Sequence, residues 1–248
     1  MKTFPIIIFV LVLSASKIMA QDTLYVYQGG AVLYKRVISA VDSVTFQKVY
    51  KIVTEKDGNI YQTVTIGTQT WMASNLRVTH YRNGESITNL TVDADWTGAT
   101  FAAWCDYSNL AANGTKYGHL YNWYAASDTR NIAPVGWHVA TDAEWTTLTT
   151  YLGGEGVAGG KLKEAGTLNW ASPNTGATNE TGFSALPGGY RSIDGTFSNV
   201  GLYGYWWSST QHGTGTPWNR DVYYGSSSVG QKYGDGKVGG FSVRCVKD

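Results

Sequence analysis

Between Leu24 and Phe46 apolar and polar residues alternate around Gln28-Gly29-Gly30. Leu24 and Val26 on one side, and Val32 and Tyr34 on the other, predict two strands flanking a turn. This stretch is too short to hold its own core, so residues 21–50 read as a small β leader segment that docks, pairs or tethers. A second hairpin is predicted from Tyr50-Lys51-Ile52-Val53 and Ile60–Ile66 around Asp57-Gly58-Asn59, since glycine accepts positive φ without a Cβ clash. Trp71–Leu76 reads as a short helical turn, and Gly118–Ala126 as either a strand or a short helix, within an otherwise irregular stretch over 80–130. Thr141-Asp142-Ala143-Glu144 is a capping box. Trp145, Leu148 and Leu152 follow at helical spacing, and Gly153-Gly154 ends the helix.

After residue 155, Gly, Asn, Ser and Thr dominate, with apolar anchors at Leu162, Leu168, Trp170, Phe183, Leu186 and Tyr190. Short strands are predicted at Trp206–Ser209, Asn219–Tyr224 and Phe241–Val246, the last with Phe241, Val243 and Cys245 on one face. No fixed-period repeat is present, which disfavours solenoids and propellers.

The first twenty residues change the compartment. Lys2, the apolar run Ile6–Leu13 and the small residue Ala20 form a secretory signal peptide over residues 1–20, with Gln21 as the expected mature start. The apolar run is shorter than the roughly 20 residues a permanent span needs. An uncleaved N-terminal anchor is the alternative. No transmembrane segment is expected after cleavage. No cysteine sits near the cleavage point, so a lipid-anchored start is not expected.

Charged residues are 15% of the chain, with a net charge of +1, and loss of Lys2 and Lys17 brings it to about −1. That balance gives neither a basic footprint for nucleic acid nor a polybasic membrane patch. Thirty glycines, ten tryptophans and seventeen tyrosines describe a loop-rich fold with a large aromatic inventory.

The cysteines, Cys105 and Cys245, either form a disulfide in an oxidising compartment or are two buried free thiols. A bridge over so long a loop would stabilise by about 4–5 kcal/mol in the chain-entropy account.

Five strings together resemble the Fibrobacter succinogenes major paralogous domain. They are Val64–Leu76, Gly118–Trp123, Pro134-Val135-Gly136-Trp137-His138-Val139-Ala140-Thr141-Asp142-Ala143-Glu144-Trp145, Gly182–Arg191 and Gly240–Val246, and the match covers about residues 57–248. Asp42–Phe46 is similar to a segment common near the start of secreted proteins of Bacteroidota-like bacteria.

The resemblance implies export to the extracellular space or cell surface, associated with the outer membrane of a Gram-negative bacterium. It also implies an α+β, C-type-lectin-like domain over 51–248, distantly similar to formylglycine-generating enzymes. That domain would have short antiparallel sheets, one or two helices and long ordered loops, preceded by the small β leader segment. Relatives carry a cysteine where this chain has Ala133, which leaves Cys105 as the only intramolecular partner for Cys245. A narrower resemblance is to variable proteins of diversity-generating retroelements, through the Tyr-, Ser-, Asn-, Asp-, Gly- and His-rich stretch 203–238.

Catalysis is not expected. His80, His119, His138 and His212 are scattered, no pair has the i, i+4 spacing of a helical zinc site, and no nucleophile elbow or phosphate loop appears. No cofactor is implied, with calcium the one lesser possibility. Trp218-Asn219-Arg220-Asp221 only loosely resembles a lectin Trp-Asn-Asp strand, and Arg220 equally well pairs with Asp221 or a neighbour.

The aromatic C-terminal stretch is the better candidate, because Tyr and Trp combine large contact area with a polar tip at low entropic cost. Tyr205, Gln211, His212, Trp218, Asn219, Arg220, Tyr223, Tyr224, Gln231 and Tyr233 are the expected ligand-binding residues. Trp137, Trp145, Trp206 and Trp207 are expected in the core. Tyr223 and Tyr224 should point to opposite faces of a strand. The reading is a surface binding or adhesion module for a glycan or protein ligand. A structural component of an appendage or matrix, working through residues 24–46, is the alternative, and an enzyme the third.

Overall fold

The computed structural model describes residues 23–28, 31–37, 51–213, 216–233 and 236–248. The signal-peptide expectation, the Gly29-Gly30 turn and the Asp42–Phe46 segment lie outside these residues. The chain divides into two compact units, Met1–Val49 and Tyr50–Asp248. In the first, β1 (Thr23–Gln28) and β2 (Ala31–Val37) pair antiparallel, with a register shift at Val26/Tyr27. Both predicted leader strands are present.

The second unit is mixed α and β, with sheets predominating. It runs β3 (Lys51–Thr54), β4 (Ile60–Ile66), β5 (Gln69–Met72), β6 (Thr88–Asn89), α1 (Asp93–Thr97), β7 (Ala103–Cys105), α2 (Ala111–Tyr117) and β8 (Leu120–Tyr121). Then come α3 (Trp123–Ala126), β9 (Trp137–Val139), α4 (Asp142–Tyr151), α5 (Glu155–Leu162) and β10 (Gly188–Arg191). The last elements are β11 (Phe197–Val200), β12 (Tyr203–His212), β13 (Thr216–Tyr223), β14 (Val229–Tyr233) and β15 (Cys245–Lys247). The strands form two five-stranded sheets, β3-β4-β5-β15-β9 and β11-β10-β12-β13-β14, and the three-stranded β6-β7-β8.

Local chemistry accounts for the well-predicted elements. Gly58 takes φ 83° at the β3–β4 turn, and the Glu55 carboxylate accepts from the amides of Asp57 and Asn59. Thr141 and Glu144 form both halves of the capping box that starts α4. Gly153 and Gly154, both at φ near 100°, end it.

Four expectations are corrected. Trp71–Leu76 is not a helical turn: Trp71 and Met72 end β5, because Trp71 pairs with both Val64 and Val246. Gly118–Ala126 is strand and helix in succession, split where Asn122 caps α3 by accepting from the Ala125 amide. Five α-helical segments are present among the described residues, where one or two were expected, although only α4 and α5 reach eight residues. The glycine-rich α5 was missed because its packing surface is backbone: an added Cβ at Gly159 would lie 2.3 Å from the Ser228 carbonyl oxygen, and at Gly160 2.4 Å from that of Gly176.

Consecutive side chains of β12 separate two cores. Trp207 packs with Tyr121, Trp123, Trp137, Phe241 and Cys245. Trp206 packs with Trp71, Trp145, Phe183 and Val246. The C-terminal sheet is therefore apolar on both faces at this point, since successive strand residues point opposite ways. Phe241, Val243 and Cys245 share the first core, as expected.

One buried side chain joins these segments. Asn75 donates to the Tyr117 carbonyl (2.7 Å) and the Ser242 hydroxyl (3.1 Å). Its Oδ1 accepts from the Trp206 indole (2.8 Å) and from Arg244 Nε (2.6 Å). Arg244 is 1% exposed and also donates to the carbonyls of Met72, Phe183 and Ser184. The strings Val64–Leu76, Gly118–Trp123, Gly182–Arg191 and Gly240–Val246 thus meet around Asn75 or its immediate partners.

Candidate functional site

The β12–β13 hairpin carries a line of half-buried rings on one face. Tyr203 and Tyr205 stand two apart on β12, so they share a face. Across the pair Tyr203 faces Tyr223, and Tyr205 faces Asp221. The Tyr203 ring stacks on Tyr223 (4.5 Å between centroids, 29°) and on Tyr205 (5.3 Å, 16°). Tyr205 stacks in turn on the buried Phe241 (5.3 Å, 19°), and Tyr190 meets Tyr205 edge-on at 5.1 Å. Stacking occupies ring faces, so ring edges and hydroxyls are what this surface chiefly offers a ligand.

A charge pair borders the line. Lys232 Nζ lies 2.6 Å from Asp221 Oδ2 and 5.8 Å from the centre of the Tyr203 ring. Asp221 is buried and Lys232 exposed, so the ammonium is the part that meets solvent. Beside Tyr190 opens a hollow of about 260 Å³, lined further by Ser192, Ile193, Gly236, Gly239 and Phe241. The Tyr205 hydroxyl accepts from Asn199 Nδ2 at 3.0 Å. Burial holds this phenol well above its ordinary pKa, so it stays protonated.

The expected ligand-binding residues divide. Tyr205 and Tyr223 belong to the ring line. Tyr224 lies one residue past β13, so strand alternation does not reach it; it packs edge-on against Tyr223 at 4.5 Å, and both are half-buried. Gln211 and His212 end β12, where Gln211 donates to the Gly213 carbonyl and His212 packs edge-on against the half-buried Trp218 at 4.5 Å. Gln231 is exposed but donates to the carboxylate of Asp142. Tyr233 lies opposite Trp218 in the β13–β14 register, and its side chain is outside the described residues.

Asn219 and Arg220 are corrections. Both are fully buried, so neither presents itself to a ligand. Arg220 points at the helices, donating to Asp142 Oδ1 (2.6 Å), Glu155 Oε1 (3.0 Å) and Thr146 Oγ1 (3.1 Å). Its partner is therefore not Asp221, which faces the other side of the sheet with Lys232.

Tyr203, Asp221, Lys232 and Tyr190 complete the site; Tyr203 belongs to the aromatic stretch 203–238 that the sequence singles out, and the other three were not in the expected set. The i, i+2 spacing of Tyr203, Tyr205 and Trp207 is the signal that would have separated this face from the one bearing Trp206.

The other candidate chemistry is distributed. Cys105 and Cys245 are both buried and free, in different core clusters, which corrects the disulfide alternative. Burial pushes the Cys105 thiol up to about 12 and raises Cys245 further, so neither is a thiolate near neutral pH. Three of the four histidines take separate carboxylates: His80 with Asp57 (2.6 Å), His119 with Asp106 (2.7 Å), and His138 with Glu144 (2.7 Å) and Asp248 (2.6 Å). Among the described residues, no group of three or more His, Cys, Asp or Glu side chains is placed to hold a metal ion. No helix among them is long and apolar enough to cross a membrane.

No curated protein and no solved structure matches the chain. The model of one family, the Fibrobacter succinogenes major domain, matches residues 64–247, most of the second unit, and the chain belongs to that family.

Proposed function

We propose that this member of the Fibrobacter succinogenes major domain family is an exported, surface-associated binding module, not an enzyme. Its ligand, a glycan or a protein, docks on the Tyr203–Tyr205–Tyr223 face of the C-terminal sheet. The observation that carries this reading is the half-buried ring line, bordered by the Asp221–Lys232 pair and opening onto the hollow beside Tyr190. A hollow of about 260 Å³ lies just below the roughly 300–1,000 Å³ of small-molecule pockets, which suits one side chain or one sugar ring of a larger ligand. Tyrosine edges, hydroxyls and an ammonium around such a hollow form a polar recognition surface with little side-chain entropy to lose. Export is supported by the pattern of residues 1–20. The C-type-lectin-like architecture belongs to the same proposal and rests on the resemblance.

Immobilised glycans and extracellular proteins, screened with the full chain, test the reading. Binding found with the wild type is expected to be lost in Tyr203→Ala/Tyr223→Ala and weakened in Lys232→Glu, with unfolding still cooperative in both. Undiminished binding by the tyrosine double variant would sink it.

A second reading is assembly through the leader. A two-stranded hairpin is marginal alone in water, which favours a partner strand for β1–β2. Deleting residues 21–50 should abolish assembly and leave the second unit folded if this reading holds. Unchanged assembly would remove it.

A further inference from the structure

Away from the tyrosine face, a small cavity of about 70 Å³ opens between the segment that follows β5 and the end of α2. Tyr61, Ser74, Arg77, Thr115, Lys116 and Tyr117 line it, and no carboxylate does. Arg77 is the telling residue. Among the described arginine side chains, Arg82, Arg130, Arg191, Arg220 and Arg244 each donate to a carbonyl or carboxylate. Arg77 does not: the residue is half-buried, its Nε is fully buried with no hydrogen-bond partner, and its guanidinium only overlooks the Tyr61 ring at 5.9 Å. Enclosing a guanidinium N–H without an acceptor is costly, and an oxygen in the cavity would supply one on a small turn of the Arg77 side chain.

The neighbouring charges agree. Lys116 Nζ sits 4.9 Å over the Tyr117 ring and forms no ion pair among the described residues. The acids nearest each cation in the chain are engaged elsewhere: Glu85, eight residues from Arg77, pairs with Arg130, and Asp106, ten residues from Lys116, is bonded to His119. Ser74 adds a hydroxyl to the lining, while the Thr115 hydroxyl is spent on the Ala111 carbonyl within α2. At about 10–15 Å³ of such volume per water, the space holds roughly five to seven waters, ample for one oxyanion.

We propose that this cavity seats a single oxyanion, a sulfate, phosphate or carboxylate group, held by Arg77 and Lys116. The seat stands whether or not the tyrosine face binds anything, because it shares no residue with that face. Arginine provides the bidentate, planar donor such groups take, and lysine a second point charge.

The test uses the full chain labelled with ¹⁵N, titrated separately with sodium sulfate, sodium phosphate and sodium acetate against chloride at matched ionic strength. At least one anion should shift the Arg77 Nε–Hε and Gly118 amide resonances saturably. Arg77→Gln should weaken that anion about tenfold or more, as loss of a charge-assisted bond requires, while Lys232→Gln on the tyrosine face should leave it unchanged. Arg77→Lys, which keeps the charge, should retain part of the affinity. A sulfated monosaccharide binding tighter than free sulfate would identify the anion as part of a larger ligand, and equal affinity would identify a free ion. No saturable shift with any of the three anions, or one that survives Arg77→Gln, would overturn the proposal.

Discussion

Replacing Asn75 by alanine should remove a large share of the stability of the second unit. Asn75 is 6% exposed and donates to Tyr117 and Ser242 while accepting from Trp206 and Arg244. Truncation strands two buried donors, the Trp206 indole N–H and the Arg244 Nε–H, on residues each 1% exposed. An orphaned buried donor costs about 1–3 kcal/mol, with the charged one at the upper end, and the contacts to Tyr117 and Ser242 add about 1 kcal/mol. The expected loss is about 4–6 kcal/mol, against about 5–15 kcal/mol for a whole domain.

Urea unfolding followed by tryptophan fluorescence measures this, since Trp206 reports on the same core. A double-mutant cycle separates the hub from simple loss of packing. Arg244→Met removes the charged donor, so Asn75→Ala/Arg244→Met should cost about 1–3 kcal/mol less than the sum of the single changes. An Asn75→Ala loss below about 1.5 kcal/mol, or a cycle additive within about 0.5 kcal/mol, would refute the reasoning.

Other outcomes follow from the same packing. Cys105 and Cys245 should resist a thiol reagent in the native protein and both react in denaturant, without prior reduction; reaction of either in the folded state would contradict their burial. Lys163, 0% exposed, donates to the carbonyls of Thr175, Tyr223 and Ser226, and burial pushes its pKa down to about 8 from 10.5. Between those values the unfolded chain binds more protons, so this residue's contribution to stability rises with pH. The stability difference between wild type and Lys163→Met should therefore move in favour of the wild type from about pH 7 to pH 10, and a flat difference would count against it. Gly159→Ala should destabilise by about 1–3 kcal/mol, because the clash with the Ser228 carbonyl exceeds the roughly 1 kcal/mol that alanine gains in a helix; a more stable variant would show that α5 can move.

Much of the local structure was legible because local chemistry decides it. The capping box at Thr141–Glu144 and the Asp57-Gly58 turn each state their conformation within a few residues, whereas the strand expected over Phe241–Val246 is reduced to β15 at Cys245–Lys247, preceded by isolated bridges at Phe241 and Ser242. The short helices α1 and α2 and the glycine-rich α5 were not legible. What holds them is tertiary: Trp96 buried under the Arg191 guanidinium (4.6 Å), or Gly159 against the Ser228 carbonyl. The site was half legible. Composition pointed to the C-terminal tyrosines, and Tyr205 and Tyr223 do share a face. Composition has no period and no depth, however, so it also took in Asn219, which is fully buried, and Arg220 and Gln231, which bond to Asp142 of α4. Lys232 and Asp221 gave no signal, since one charge pair in a strand looks like any solvated pair.

The location of binding is the claim on which the functional account stands. Incorporating 3-fluorotyrosine, assigning its resonances by single Tyr→Phe changes and titrating a ligand from the binding screen would read every tyrosine at once. The account predicts shifts at Tyr203, Tyr205 and Tyr223, with the core tyrosine Tyr121 unmoved. Shifts confined to tyrosines elsewhere, with those on β12 and β13 silent, would contradict it.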